Sequence, residues 1–374
     1  MKKANGIVLS LLLLAAWIFL SGWGSKAHRI INRHAPASLP SQMSFLKTSW
    51  TVILADHASD ADERRYTDPS ESPRHYLNID DYPGFLQSGR IPQTYDSVVM
   101  IYGVSFVLEQ GILPWATEIT FDSLRSCFQR QNWDKAALFA ADLGHYIADG
   151  HQPLHLTKNY DGQYTGQDGI HSRYESTLVT RFETELDSYP DDPAQPVGNV
   201  NQCIFDYIYL DYLYVDSVLQ ADMNAQNQTG SHSSTAYYSA FWAGCGDFTT
   251  ALFKDASLTL AGLIYTAWVQ AGSPVPGSNG INDTEEENSG LLQNVPNPFR
   301  ESTTITVEAK ESDEPVSLKI YDSKGNLAST LVDGILPGGH HEYLWNGKGF
   351  SEGIYYVVLV TGNRTSARKM VLVR

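Results

Sequence analysis

The sequence predicts an all-α domain followed by a small all-β sandwich. Three observations carry that expectation. From residue 23 to about residue 270 apolar residues recur at three- and four-residue spacing, the period of helices packed on one face. At residues 272–290 the composition breaks: Pro274, Pro276, Gly277, Gly280 and an acidic run at 285–287 leave almost nothing apolar, as in a linker. Beyond the break the apolar period drops to two. A chain of 374 residues, 42% hydrophobic and 18% charged, has room for two cores and excludes global disorder.

The elements follow in order. Lys2 and Lys3 precede an apolar run at 7–20 that closes on Ser21 and Gly22, which reads as a signal peptide over residues 1–22. A run of about 14 residues is shorter than the roughly 20 a bilayer span needs, so cleavage before Trp23 is expected rather than anchoring. No later stretch is long and apolar enough to span, and the mature chain is expected to be soluble. Residues 132–150 have few β-branched side chains and a helical apolar spacing, and a second such stretch runs from 236 to 268. In the tail, 303–307, 316–321 and 355–360 are short β-rich runs separated by turn signals at 323–326 and 337–339. Seven or so strands in about 80 residues fit a small sandwich. The expected domains are therefore 1–22, 23–271, 272–290 and 291–374. No repeat of 20 to 50 residues is present.

Charge and cysteines narrow the function. The formal charge is −16, and losing the two leader lysines takes it to −18. Such a chain lacks the positive field that holds nucleic acid by its phosphates, although bound metal ions can supply one locally. Three cysteines, Cys127, Cys203 and Cys245, cannot build a disulfide framework. Cys203 and Cys245 pairing in an oxidising compartment and buried free thiols are both open readings.

The chemistry lies in histidines and carboxylates. His145 and Asp149 are four apart, so a helix over 132–150 presents both on one face. Pro153 ends that helix and His155 returns toward the same place. His171 and Glu175 repeat the four-residue spacing, while His75, Asp60, Asp62 and His28 lie upstream. Imidazole with carboxylate and no thiolate is the ligand set of hydrolytic zinc sites. Nine such groups exceed what one tetrahedral ion takes, which implies two or three metals. A single His-x-x-x-Asp pair on a helix is usually an ordinary surface or core pair; two such pairs joined by Gln152-Pro153-x-His155 are not.

On these residues the chain from Trp23 to about residue 270 resembles the zinc-dependent phospholipase C / S1–P1 nuclease superfamily, whose members are all-helical enzymes with a trinuclear zinc site. His145 to His155, reading HYIADGHQPLH, is the most specific match. The resemblance implies three Zn2+ per chain. One would be held by Asp62, His75, His145 and Asp149, and a second by His155, His171 and Glu175. The third would take His28, a shared Asp149, and the free amine and carbonyl of Trp23. An extra residue before Trp23 would turn that amine into an amide and remove a ligand. For the upstream carboxylate Asp62 is favoured over Asp60 and Asp56, because it follows Ala61 and precedes Arg65 by three. The resemblance gives Asp62 and Arg65 catalytic roles: Asp62 orients or deprotonates the attacking water, and Arg65 grips a phosphate oxygen. A solvated basic pair is the alternative for Arg64 and Arg65. His34, His57 and His151 have no assigned role, and His151 is expected just outside the metal shell.

The implied reaction is phosphodiester hydrolysis by metal-activated hydroxide. Glu175 and the short interval between His155 and His171 look phospholipase-like; the short Trp23-to-His28 spacing and Ala61-Asp62-x-x-Arg65 look nuclease-like. Acidic charge tips the expectation toward phospholipid headgroup esters. The alternatives are an endonuclease cleaving single-stranded DNA or RNA, and a surface binding protein that has lost catalysis. The 21 tyrosines and 8 tryptophans do not discriminate.

In the tail, residues 294–299 (NVPNPF), a strand start at Gly353-Ile354-Tyr355-Tyr356 and the ending KMVLVR resemble the C-terminal sorting domain of the type IX secretion system. That resemblance implies recognition by the type IX machinery, and secretion or display at the outer-membrane surface. The linker would then be an exposed tether. His340 and His341 are expected near a turn, without a ligand role.

Overall fold

The computed structural model describes residues 24–276, 290–309, 315–322, 326–361 and 364–373. The signal segment, Trp23 and most of the linker lie outside the described residues. By internal contacts the chain forms two units. Among the described residues, one comprises 24–93, 110–125 and 133–270; the other comprises 94–109, 126–132 and those from 271 onward.

The first unit is helical. Its main helices are α1 (Ser25–Ser38), α2 (Ser44–Asp56), the single turn α3 (Asp60–Arg64), α4 (Leu113–Gln129), α5 (Trp133–Gly150), α6 (Val200–Tyr212), α7 (Val215–Thr229) and α8 (Thr235–Gln270). α5 is the central rod, packed by α1, α2 and α8. Its last eight residues, Leu143 to Gly150, are all buried. Alanines at 136, 137, 140 and 141 favour the helix and keep its waist thin, so neighbouring backbones come close. α8 is apolar around much of its circumference and buries eighteen residues, including Phe241, Phe253 and Leu260, as a helix inside a bundle must.

α5 stops at Gly150. Gln152 takes an extended backbone ahead of Pro153, as the proline ring requires, and its side chain accepts a hydrogen bond from the Leu154 amide. The chain then tightens into a 3-10 turn over Pro153–His155 that brings His155 back beside α5.

In the second unit the tail folds as two antiparallel sheets. β1 (Ser302–Ala309) pairs with β4 (Gly339–Asn346). The other sheet has the order β3-β2-β5-β6, with β2 Pro315–Asp322, β3 Leu327–Ile335, β5 Gly353–Thr361 and β6 Arg364–Leu372. Ile305 and Val307 from one sheet meet Leu318, Ile320, Val357 and Leu359 from the other in a common core, so the sandwich is real. Six strands are found among the described residues rather than seven or so. The stretch before β1 makes isolated bridges at Leu291, Val295 and Phe299, and Pro296 and Pro298 cannot donate to a ladder. Asn294 is buried and donates to the Pro296 carbonyl and to Thr303, while Phe299 packs on Trp345. His340 and His341 open β4 rather than lying in the preceding turn.

Candidate metal centre

Each expected ligand comes from an element whose position has a local cause. His28 sits on α1 and Asp62 on α3, which starts after the end of α2. His75 closes a 3-10 turn over Ser72–His75. His145 and Asp149 lie one turn apart on the buried end of α5. His171 begins a helix that passes into a π-helical turn, Arg173–Leu178, which carries Glu175. A π-turn widens the helix locally and re-aims side chains, and such turns concentrate at functional sites.

Four atoms of the first set surround one point. His75 Nδ1 lies 3.0 Å from both Asp149 Oδ2 and His145 Nε2. His145 Nε2 is 3.3 Å from Asp149 Oδ2. Asp62 Oδ1 is 3.7 Å from His75 Nδ1 and 3.7 Å from His145 Nε2. A zinc ion with ligands at about 2.0–2.1 Å has tetrahedral edges of about 3.3 Å, which these separations bracket. The second set is a triangle: His155 Nε2 to His171 Nε2 is 3.3 Å, His171 Nε2 to Glu175 Oε2 is 3.0 Å, and His155 Nε2 to Glu175 Oε2 is 3.5 Å. Three groups have ligand atoms close enough to hold a metal: Asp62 with His75 and His145, His155 with His171 and Glu175, and His28 with His145 and Asp149.

Asp149 joins them. Its Oδ2 faces the first set, while Oδ1 is 3.2 Å from His155 Nδ1 and 3.6 Å from His28 Nε2. His28 is fully buried and neither of its ring nitrogens has a hydrogen-bond partner, nor does Asp149 Oδ1. Buried polar atoms without partners are costly, and a cation between them removes the cost. Trp23, the remaining expected ligand of that set, lies outside the described residues.

Outer contacts fix which nitrogen each ring offers. His145 Nδ1 donates to the Ala58 carbonyl at 2.7 Å and His171 Nδ1 to the Tyr160 carbonyl at 3.0 Å, leaving both Nε2 atoms as ligands. Burial and the adjacent His145 depress His28 well below the usual imidazole range, keeping it neutral. Burial opposes charge on Asp149, but His145 and His155 override it and hold the carboxyl well below its usual range. Without metal, burial is likewise outweighed at His145 and His155, whose carboxylate neighbours raise both to about 9.

A cavity of about 230 Å3 opens on these ligands, lined by His75, His155 and His171 together with Arg65, Asn78 and Tyr160. Arg65 Nη2 lies 2.6 Å from Asp62 Oδ1. Neither arginine belongs to a solvated pair: Arg64 reaches inward to Asp142, Glu71 and Tyr146. Asp60 turns instead to His57. His151 points away from the ligand sets, toward Asp211 and Asp255, stacked on Tyr207. Cys203 and Cys245 do not form a disulfide. Sequence reasoning missed Glu71 and Tyr146, which stand against the far side of His75. The four-residue spacing of Glu71 and His75 was the available signal.

Residues 295–373 match a family model described as a secretion system C-terminal sorting domain. This is the type IX sorting tail, and it indicates secretion or attachment at the outer-membrane surface. No described helix is long and apolar enough to cross a membrane. Among solved structures the chain is similar to the alpha toxin from Clostridium absonum, at 12% identity and a TM-score of 0.41, covering 94% of this chain and 96% of that one. It is also similar to an alpha-toxin of an avian strain of Clostridium perfringens, at 11% identity and a TM-score of 0.41, covering 94% and 98%. No curated protein matches the sequence. At such identity and score, the function has to stand on this chain's own side chains.

Proposed function

We propose that this protein is a secreted zinc-dependent phosphodiester hydrolase of the phospholipase C kind, with a trinuclear site. The observation that carries the reading is Asp149, a buried carboxylate whose two oxygens face different imidazoles, His75 and His155, both of which line one cavity. Zinc in such sites supplies an activated water and neutralises the charge that builds on phosphorus.

The chain's own groups do the rest. Asp62, Asp149 and Glu175 give three carboxylates against five histidines, so the loaded site keeps an excess of positive charge for a phosphodiester anion. Arg65 lines the cavity with its guanidinium beside Asp62, which aims its donors at a non-bridging phosphate oxygen. The partly exposed carboxylate of Asp62 is placed to orient the attacking water or take its proton. The cavity lining combines Leu154 and Tyr160 with polar Ser72 and Asn78, which suits an ester with one charged and one apolar end.

Phospholipid headgroup esters are the favoured substrate. Glu175 supplies the last carboxylate, the interval between His155 and His171 is short, and the mature charge of −18 repels a polyanion. One observation favours a second reading, cleavage of single-stranded nucleic acid: Arg65 stands in the cavity three residues after Asp62. The test is a parallel assay of the zinc-loaded chain beginning at Trp23 on phosphatidylcholine and on single-stranded DNA and RNA, with a chelator control. Diacylglycerol release without nucleotide release is expected. Nucleotide release would replace the phospholipase reading by the nuclease one, and no metal-dependent turnover of either would leave a binding protein.

A further inference from the structure

We infer that Glu71, a residue outside every ligand set, is the positioning residue that fixes which nitrogen His75 offers to the first metal set. The inference rests on the metal-centre reading above. His75 turns Nδ1 toward Asp149 and His145, so Nε2 faces the opposite way. There Nε2 makes no hydrogen bond but faces Glu71 Oε1 across 3.5 Å, an ion-pair distance, with both side chains almost fully buried. A carboxylate facing the far nitrogen favours the proton on Nε2, which leaves Nδ1 as the lone-pair donor.

Glu71 is itself held from three directions. The Tyr146 hydroxyl donates to Oε1, while Arg64 Nε at 3.3 Å and Arg74 Nη1 at 3.5 Å approach Oε2. Tyr146 follows His145 directly on α5, and Arg64 closes α3, the helix that carries Asp62. One buried carboxylate thus ties together the three elements that supply the first ligand set. A carboxylate buried beside arginines for structural reasons alone has no need to face the back of a ligand ring.

The test compares Glu71→Ala, Glu71→Gln and Tyr146→Phe with the parent full chain, reading zinc retention against a competing chelator and melting of the metal-free protein. Glu71→Ala should weaken the most affected zinc step by about 10- to 100-fold. Glu71→Gln keeps an oxygen acceptor and should recover most of that loss. Tyr146→Phe removes a prop of Glu71 but leaves the carboxylate beside His75, so it should lose less than Glu71→Ala. Unchanged zinc retention in Glu71→Ala would overturn the inference, as would Tyr146→Phe matching its loss with the same drop in metal-free melting. A parent chain that holds no zinc would overturn the metal-centre reading itself.

Discussion

Two oxygens of one carboxylate, Asp149, organise the site, and the sharpest predictions are at single residues. Asp149→Asn keeps the shape and removes the charge shared by two ligand sets; phosphodiester hydrolysis should fall by about a thousandfold or more, with fewer zinc ions retained. The pH response of the metal-free chain has a definite sign. His145 and His155 are raised to about 9 when folded, above the ordinary imidazole value of 6.5. Between those values the folded chain holds more protons than the unfolded one, so stability present below about 6.5 is lost as pH rises through about 9. Melting of chelator-treated protein should therefore fall across that window. In the zinc-loaded protein the ligands have already given up those protons, and the fall should be absent. Much of this was legible beforehand: four-residue spacing marked His145 with Asp149 and His171 with Glu175, because ligands on one helix face must recur with its period. Glu71 was not singled out although it stands four residues before His75, because a carboxylate that supports a ligand has the same appearance in sequence as a surface one.

At the level of the element, α5 decides whether the ligands can meet. Gly144, one residue before His145, lets α1 approach. A Cβ there would lie 2.0 Å from Asn32 Oδ1 and 2.6 Å from Leu260 Cδ2. Asn32 cannot swing aside freely, since its amide donates to the carbonyls of Leu54 and Ala141. Gly144→Ala should cost about 1–3 kcal/mol by overpacking, despite alanine's better helix propensity, and thermal melting would register it. Melting at or above the parent temperature would show that the contact relaxes. The central and last long helices were readable from the sequence within a residue or two, because their apolar residues face neighbours on several sides. The π-turn under Glu175 was not, since nothing in Arg173 to Leu178 departs from an ordinary helical pattern. The strand tally failed for a related reason: prolines 296 and 298 stop a β-rich stretch from pairing, and only isolated bridges survive.

For the whole molecule, a helical unit that buries a cluster of histidines and carboxylates is joined in sequence to a sorting tail. The sandwich core, closed by Phe299, Trp345 and Leu372, accounts for why the NVPNPF stretch reads as part of a folded domain rather than as linker. Deleting residues 291–374 should keep the enzyme off the cell surface and out of the medium, measured by fractionation and immunoblot; undiminished surface or medium protein would refute the sorting role. At the other end, the Trp23 amine was assigned from sequence alone, and one added residue before it should sharply reduce both activity and zinc content. The most direct test of the account is the metal content of the chain beginning at Trp23, measured together with phosphatidylcholine hydrolysis before and after chelation. About three zinc ions per chain, with hydrolysis abolished by chelator and restored by zinc, is the predicted result. A chain that binds no zinc, or that hydrolyses its substrate equally well after the metal is stripped, would contradict it.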